Sequence, residues 1–281
     1  MKKLLVFLSL ASLFFAACNN SVSSNQTTNG SKDSSAIKKD STAPKMGAKI
    51  ETKNGITLSY FIQSPDFADA ALNQIEPANN SQISKAGSTA FRYDIKNFKL
   101  TDQTPGVADC GCNNSNKGQH IHQILNNAPY MARYKDTFYS DLKPGNYINL
   151  SFLSRSYHES VKNKNAYALS QFKVGDTKEK PADLKGPLLF YSRPKGEYKG
   201  KDTANILLDF YLVNTDLSAD GNKVIATING TPFTLSKWTG YSISGLHPGE
   251  NTIKLELVAK DGVGIPGPYN VVERKIKLSA Q

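Results

Sequence analysis

The chain has few of the residues that mark antibody-type domains, and no apolar run long enough to cross a membrane. Among its 281 residues are three cysteines, one tryptophan and four histidines. The inter-sheet disulfide and core tryptophan of true immunoglobulin domains are therefore missing. The longest apolar stretch, Leu4 to Ala17, falls short of the about 20 residues that a membrane-spanning helix needs. The sequence thus excludes a helical membrane protein.

Recognisable catalytic motifs are also missing. The sequence contains no Gly-x-Ser-x-Gly elbow, no His-Glu-x-x-His helix and no phosphate-binding loop. The stretch 262–267 matches the glycine pattern of dinucleotide-binding folds, but Pro268 and a strand follow where a helix N-terminus is required. We therefore predict a protein without enzymatic activity and keep a hydrolase as a remote alternative, because serine, histidine and aspartate are present without diagnostic spacing.

The N-terminus is typical of an exported lipoprotein. Two lysines, a short apolar run and the tetrapeptide Phe15-Ala-Ala-Cys18 follow one another. This order is that of a secretory signal peptide, and the tetrapeptide resembles a lipobox with phenylalanine in place of the usual leucine. We predict that residues 1–17 are cleaved and that Cys18 carries the acyl chains that anchor the protein to a membrane.

A polar segment follows the anchor. Residues 18–47 consist largely of Ser, Asn, Thr and Lys, so they cannot bury enough apolar surface to offset their ordering entropy and are predicted to form a disordered tether. Asn19 stands where an inner-membrane retention signal usually has aspartate. The predicted location is the outer membrane, facing the periplasm, with the cell surface as the alternative. Nucleic acid is excluded as a partner there, although the formal net charge is +10.

Hydrophobic residues alternate with period two along the rest of the chain, and the pattern occurs twice. Residues 118–130 align without a gap on residues 221–233, which matches a glycine, an asparagine, a proline and an aromatic residue. Each copy continues into a Leu-x-Pro-Gly turn, at 142–145 and 246–249, and then into an alternating strand. The predicted fold class is all-β, with two tandem immunoglobulin-like β-sandwiches after the signal peptide and tether.

The alternation also places the domain boundaries. Domain one is predicted over residues 48–176, a polar hinge over 177–183 and domain two over 184–281, and the segment 50–63 is an uncertain extra strand of domain one. Strands are predicted near residues 72–76, 89–97, 120–126, 137–141, 147–153 and 167–174, and then near 188–192, 205–214, 223–229, 241–244, 252–258 and 271–278.

A family resemblance rests on some of these residues. The pair His120 and His122 on one strand, the asparagine turn, the Leu-x-Pro-Gly turn and a third histidine resemble uncharacterised bacterial periplasmic immunoglobulin-like domains. The two-domain layout, with Ser-Arg-Ser-Tyr-His-Glu at 154–159 and Tyr-Ser-Arg-Pro-Lys-Gly-Glu-Tyr at 191–198, is similar to two-domain bacterial lipoproteins often labelled phosphopeptide-binding. The resemblance implies a fold and an envelope location and assigns no ligand residue.

Three of the four histidines suggest a metal site in domain one. His120 and His122 share a face of their strand because side chains alternate. Their counterparts in domain two, Lys223 and Ile225, point away from the core, so both imidazoles are predicted on an outer face. His158 follows the next strand, which is expected to end beside His120.

Three neutral imidazoles that converge would bind Zn(II) or Cu(II) and leave the fourth position open. Glu159 and Asp109 are candidates to orient them. The alternative is a set of surface histidines without a ligand.

Two further groups of residues are candidates for binding. Cys110 and Cys112 lie in a long loop, where they would form a disulfide, bind metal as thiolates or do neither. A basic and aromatic ligand surface is predicted from Arg155, Tyr157, Arg193, Lys195 and Tyr198, which would suit a phosphate or sugar, against ordinary loop residues as the alternative. The predicted function is a non-catalytic, lipid-anchored envelope protein that binds a protein or an anionic ligand, with a periplasmic Zn- or Cu-binding protein as the alternative.

Overall fold

The protein is built from β-strands wherever its structure is described. The computed structural model describes residues 47–106 and 111–279, so the predicted signal peptide, Cys18, nearly all of the tether and Cys110 lie outside the described residues. One short 3-10 helix, Gly200–Thr203, accompanies 18 strands in this part. No helix within it is long and apolar enough to span a bilayer. The strands are β1 (Lys49–Lys53), β2 (Ile56–Tyr60), β3 (Ala71–Glu76), β4 (Gln82–Ile83), β5 (Gly87–Lys96), β6 (His120–Leu125), β7 (Met131–Arg133), β8 (Thr137–Leu142), β9 (Gly145–Ser154), β10 (Tyr167–Val174), β11 (Leu188–Arg193), β12 (Gly196–Lys199), β13 (Ile206–Val213), β14 (Lys223–Ile228), β15 (Thr231–Leu235), β16 (Tyr241–Ser244), β17 (Gly249–Val258) and β18 (Val271–Ser279).

The first sandwich packs a three-stranded sheet against a five-stranded sheet. The strand orders are β3-β5-β8 and β4-β10-β9-β6-β7. Alternate side chains of both sheets, among them Phe91 and Phe172, fill the space between them and are almost completely buried. Successive side chains of a strand point to opposite faces, so every second residue lies on the same face. The period-two hydrophobic pattern therefore produces this core.

The second sandwich repeats the strand order of the first and adds the hairpin β1-β2 at one edge. Its sheets have the orders β12-β18-β17-β14-β15 and β1-β2-β16-β13-β11. In both sandwiches one edge strand pairs in parallel, β4 with β10 and β12 with β18. The prediction of two tandem immunoglobulin-like sandwiches is therefore confirmed.

Equivalent asparagines form the same turn in both sandwiches. Asn126 and Asn229 have positive φ angles of 50° and 47°, in the left-handed region that asparagine tolerates better than most residues. The side-chain oxygen of Asn126 accepts a hydrogen bond from the Ile148 amide at 2.8 Å, and that of Asn229 accepts one from the Thr252 amide at 2.8 Å. The residues matched in the sequence repeat are thus matched in space.

The N-terminal hairpin belongs to the second sandwich, which corrects the predicted start of domain one at residue 48. Strand β2 pairs antiparallel with β16, with Leu58 opposite Ile243. Ile56 and Leu58 enter the core of the second sandwich, where Leu58 is completely buried. Alternation correctly indicated a strand in the segment 50–63, but it carries no information about which sheet accepts that strand.

The two sandwiches share a third core between their outer faces. Side chains of β6 and β9 meet those of β11 and β13, and every residue of β11 and β13 is buried. The buried residues of this core are Ile124, Tyr130, Ile148, Leu150, Phe152, Leu188, Phe190, Tyr211 and Val213. The segment 177–183, predicted as a hinge, leads into this core, because Ala182 packs against it and Glu179 accepts a hydrogen bond from the Asn146 amide at 2.7 Å.

Because the N-terminal hairpin belongs to the second sandwich, we expect a core substitution in the hairpin to destabilise the protein strongly. Leu58→Ala is expected to lower the free energy of unfolding by about 2–5 kcal/mol, because it leaves a cavity in the second sandwich. Val263→Ala, at a side chain that is 63% exposed, is the matched control and should change it by less than about 0.5 kcal/mol. Urea unfolding of both variants measures this, and an unchanged midpoint for Leu58→Ala would show that the hairpin does not stabilise the second sandwich.

Candidate metal centre

Three histidines from two segments of the first sandwich meet in one place. His120 and His122 lie on β6, and His158 lies in the loop that follows β9. His120 Nε2 is 3.0 Å from His122 Nε2 and 3.1 Å from His158 Nδ1. One ring nitrogen from each residue lies within 4.8 Å of those of the other two. The structure thus brings together the three residues that the sequence singled out.

The imidazoles are buried, which corrects the prediction that they lie on an exposed outer face. They do point away from the core of their own sandwich, as the alternation requires. The second sandwich covers that face, so His120 and His122 are 0% exposed and His158 is 8% exposed. His122 Nδ1 lies 3.3 Å from Ser192 Oγ on β11, and its ring stacks on Tyr130 with centroids 3.5 Å apart. The histidines therefore form a polar centre in the shared core.

A backbone carbonyl fixes the orientation and tautomer of His120. Its Nδ1 lies 2.8 Å from the carbonyl oxygen of Gly118. A carbonyl can only accept, so Nδ1 carries the proton and Nε2 of the neutral ring presents its lone pair to the other two histidines. A carbonyl or carboxylate partner at the remote nitrogen is also what orients histidines that bind metals.

Only one of the two short nitrogen–nitrogen contacts in the neutral cluster can be a hydrogen bond. His120 Nε2 has one lone pair and two close nitrogen neighbours, so it can accept one well-aligned hydrogen bond at most. The other contact then brings two nitrogens to about 3 Å without a good hydrogen bond. A tetrahedral Zn(II), with Zn–N distances of about 2.0–2.1 Å, places its ligand nitrogens about 3.3 Å apart. Two of the three pairs, at 3.0 and 3.1 Å, are close to this distance, and all three nitrogens lie within 4.8 Å of one another.

The surroundings keep the three imidazoles neutral. Burial lowers the pKa of His120 to about 4 and holds the pKa values of His122 and His158 well below their usual range. The charge of Arg193 lowers all three pKa values further. Neutral imidazole is the form that binds a metal ion, so the site does not have to release protons to do so near neutral pH.

His158 is held in a backbone conformation that histidine rarely adopts. Its φ is +71°, in the left-handed region. The turn is closed by a hydrogen bond of 2.9 Å from the His158 amide to the Arg155 carbonyl and by one of 2.9 Å from the Arg155 amide to the Glu159 carbonyl. Such a conformation costs of order 1–3 kcal/mol and occurs mainly at functional sites. The turn therefore stabilises a strained geometry that aims the His158 ring at the other two.

Arg155 and Glu159 support this turn instead of a ligand. The Arg155 guanidinium is buried and donates hydrogen bonds to the carbonyl oxygens of Pro65 and Ser160 at 2.6 and 2.8 Å. Glu159 pairs with Arg155 at 3.5 Å and accepts a short hydrogen bond from Ser64 Oγ. The prediction of Arg155 on a ligand surface is wrong, because its donors are used within the fold. Glu159, predicted as a candidate to orient the histidines, is directed at Arg155 and Ser64.

The other members of the predicted basic and aromatic surface are largely buried beside the histidines. Tyr157, Arg193 and Tyr198 are 1%, 7% and 3% exposed, and only Lys195 is partly exposed. They are not an open surface, because the second sandwich and the loops close over them. Lys195 Nζ lies 3.8 Å from the centre of the Tyr130 ring and donates to the Tyr130 carbonyl at 2.7 Å.

A small cleft leads to His158 from this group. It is narrow, with only about 10 Å³ of space open to water-sized molecules. Its lining consists of Cys112, Asn113, Tyr157, His158, Arg193, Tyr198, Asn205 and Leu207. Cys112 is disulfide-bonded and so offers no thiolate to a metal ion. Cys110 and Asp109 lie outside the described residues.

Sequence reasoning missed three groups that hold the histidines. Tyr130 stacks on His122, and its hydroxyl lies 3.3 Å from His158 Nδ1. Its counterpart in the repeat, Phe233, lacks the hydroxyl, and this difference was the one available signal. The Gly118 carbonyl and Ser192 gave no signal, because a backbone oxygen and a strand of the other sandwich become relevant only once the fold is known.

Comparison with known proteins adds the fold alone. No protein-family model and no curated protein sequence matches the chain. Similar solved structures include the fibronectin(III)-like modules of Clostridium thermocellum CbhA, with 9% identity over 74% of this chain and 94% of that chain and a TM-score of 0.27. They also include Bacteroides ovatus SGBP-B of the mixed-linkage glucan utilization locus, in complex with a mixed-linkage heptasaccharide, with 10% identity over 74% and 70% and a TM-score of 0.23. The tandem V-type regions of the chitin binding protein VCBP3 match with 9% identity over 74% and 98% and a TM-score of 0.20.

The lowered pKa values predict that the metal-free protein loses stability in mild acid. Unfolded imidazoles take up protons near pH 6.5, whereas His120 in the folded protein does so only near pH 4. The unfolded chain therefore binds more protons in this interval, and the free energy of unfolding should fall as the pH falls from about 6.5 to about 4, by up to about 1.4 kcal/mol per pH unit for each buried histidine. Urea unfolding over this range tests it. His158→Asn should make the free energy of unfolding depend less steeply on pH. His247→Gln, at an exposed histidine, should leave the pH dependence unchanged. Equal pH dependence in the wild type and both variants would contradict the attribution to the buried histidines.

Proposed function

We propose that the protein is a non-catalytic metal-binding protein of the bacterial envelope, which holds one Zn(II) or Cu(II) ion through His120, His122 and His158. The observation that carries the proposal is the convergence of three neutral, buried imidazoles, in which His120 Nε2 lies 3.0 and 3.1 Å from nitrogens of the other two and can share a hydrogen bond with only one of them. A bound cation accepts all three lone pairs at once. Imidazole nitrogen suits both metals.

The groups behind the ligands fit this proposal. The Gly118 carbonyl holds the remote nitrogen of His120, and Ser192 Oγ lies beside that of His122. Such outer partners orient the ring of a metal-binding histidine and strengthen its bond to the metal. Ser192 belongs to the second sandwich, so the site is complete only when the two sandwiches are packed together.

The size of the cleft favours binding over turnover of a large substrate. Three histidines leave the fourth position of a tetrahedral metal free, and the cleft beside His158 is the approach to it. With about 10 Å³ of space open to water-sized molecules, the cleft is far smaller than the about 300–1,000 Å³ that is usual for pockets that bind organic ligands. Only a small fourth ligand fits, which suits the storage or delivery of an ion.

The metal proposal predicts a stoichiometry that depends on the histidines. Purified mature protein, stripped with a chelator and reloaded, should hold about one Zn or Cu per chain, and His122→Ala should hold almost none. Zinc at about 100 times its Kd should add about 2.7 kcal/mol to the free energy of unfolding of the wild type and nothing to that of His122→Ala. Metal analysis and thermal unfolding measure the two effects.

Two further variants separate metal ligation from folding. His158→Asn removes the imidazole and keeps a residue that tolerates the left-handed conformation, so it should fold and lose the metal. His247→Ala removes an exposed histidine of the second sandwich and should keep the metal. Equally low metal content in the wild type and all variants would end the proposal.

We also propose that the protein is attached to the outer membrane through Cys18, on the basis of the lipobox-like sequence around it. Cys18→Ser should move the protein from the membrane fraction to the soluble periplasmic fraction, because the attachment rests on the acyl chains of this one residue. Metabolic labelling with a radioactive fatty acid, followed by fractionation, measures both changes. An unlabelled wild type, or a Cys18→Ser variant that stays in the membrane, would contradict lipidation at Cys18.

A further inference from the structure

The guanidinium of Arg193 is buried beside the histidines without a negative partner among the residues that the structure describes. Arg193 is 7% exposed, its Nη1 donates to Tyr198 Oη at 3.0 Å, and the group lies 5.3 Å from the centre of the Tyr130 ring. Its Nε has no hydrogen-bond partner. Burial lowers the pKa of Arg193, but Tyr198 and Tyr130 outweigh this effect and keep the pKa raised, so the group stays charged. A buried charge of this kind normally has a counter-ion.

The neighbouring charges make an anion more favourable still. Lys195 lies beside Arg193, and burial followed by the charges of Arg193 and Arg274 lowers its pKa to about 8. Arg193 and Lys195 both act on the pKa values of all three histidines, so they are close to the metal position. A divalent cation at the histidines would add two more positive charges to this region. Charge balance at the loaded centre therefore calls for a negative ligand.

The two residues that carry these unpartnered polar groups line the same cleft. Arg193 and Tyr157 both line it, together with His158. The hydroxyl of Tyr157 is buried and makes no hydrogen bond of normal geometry. An anion in the cleft would lie beside a guanidinium nitrogen and a hydroxyl that each lack an acceptor, next to the open metal position.

We propose that the cleft binds a small oxyanion, a phosphate or carboxylate group, that takes the fourth position on the metal and accepts hydrogen bonds from Arg193 and Tyr157. This inference rests on the proposed metal function. The inference extends the metal function by naming the ligand that completes the site and balances its charge. Arginine suits the role, since its fork of donors matches the oxygens of both groups.

Such an arrangement makes the binding of metal and anion cooperative. Each ligand neutralises charge that opposes the other, so by linkage the oxyanion must raise the affinity for the metal by the same factor as the metal raises the affinity for the oxyanion. Without an oxyanion, the charge of Arg193 should weaken metal binding, since like charges repel in a site of low dielectric constant.

The test is a zinc competition against a fluorescent chelator, with full-length mature protein in an anion-poor buffer, and then with inorganic phosphate or acetate added in excess. Phosphate is expected to raise the zinc affinity of the wild type at least about tenfold, the effect of one charge-assisted hydrogen bond. In Arg193→Gln the gain should fall below about twofold. This variant should also bind zinc as tightly as the wild type, or more tightly, in the anion-poor buffer, which a merely structural role for Arg193 would not produce. A gain with phosphate alone identifies a tetrahedral oxyanion, and a gain with acetate a carboxylate.

Controls keep each outcome decisive. Arg92→Gln removes an exposed arginine of the first sandwich, paired with Glu76, and should retain the full phosphate effect. Arg193→Lys keeps the charge without the Nε donor, and it serves if Arg193→Gln does not fold, with an expected gain smaller than that of the wild type. Zinc binding that neither anion changes, or an anion effect that survives in Arg193→Gln, overturns the inference and leaves the metal function standing. Failure of the wild type to bind either zinc or copper overturns both.

Discussion

The face-to-face packing of the two sandwiches is the constraint on which the rest of the structure depends. Neither outer face would be buried alone, and together they form a core that includes Phe152, Phe190 and Tyr211. Polar groups on these faces must then find partners within the interface, because an unpaired buried polar group is costly. Asp209, which is fully buried, accepts hydrogen bonds from Ser160 Oγ at 2.9 Å and from Lys162. This satisfaction remains incomplete beside the histidine cluster, where the Nε of Arg193 and the hydroxyl of Tyr157 lack a partner in the described part of the chain.

Duplication explains the fold, and the asymmetry between the copies explains the site. Strand β6 and its counterpart β14 occupy the same position, yet every residue from His120 to Gln123 is buried, whereas in β14 buried residues alternate with partly exposed ones. Lys223 and Ile225, at the positions of the two histidines, therefore face an open side of the second sandwich. The same topology thus provides a solvated surface in one copy and a buried centre in the other.

The sequence predicted what depends on local pattern and missed what depends on the partner sheet. Period-two alternation located most strands and turned His120 and His122 away from their own core, because side-chain direction is a property of the strand alone. The burial of these rings, the membership of the hairpin around Leu58 and the seclusion of Tyr157 were not predictable in this way. Each follows from which sheet packs against which, and hydrophobic alternation is the same for a face that meets solvent and for one that meets another domain.

The division of the site between the sandwiches links its occupancy to their packing. All three histidines come from the first sandwich, whereas Ser192 and Arg193 come from β11 of the second. Separation of the sandwiches would release the partner of His122 and expose the rings, which raises their pKa values toward the ordinary range and lets protons compete with a cation. A ligand that binds only the packed arrangement must therefore stabilise that arrangement by the free energy of its own binding. The backbone of His158, with its positive φ, aims this ring at the other two imidazoles within the packed arrangement.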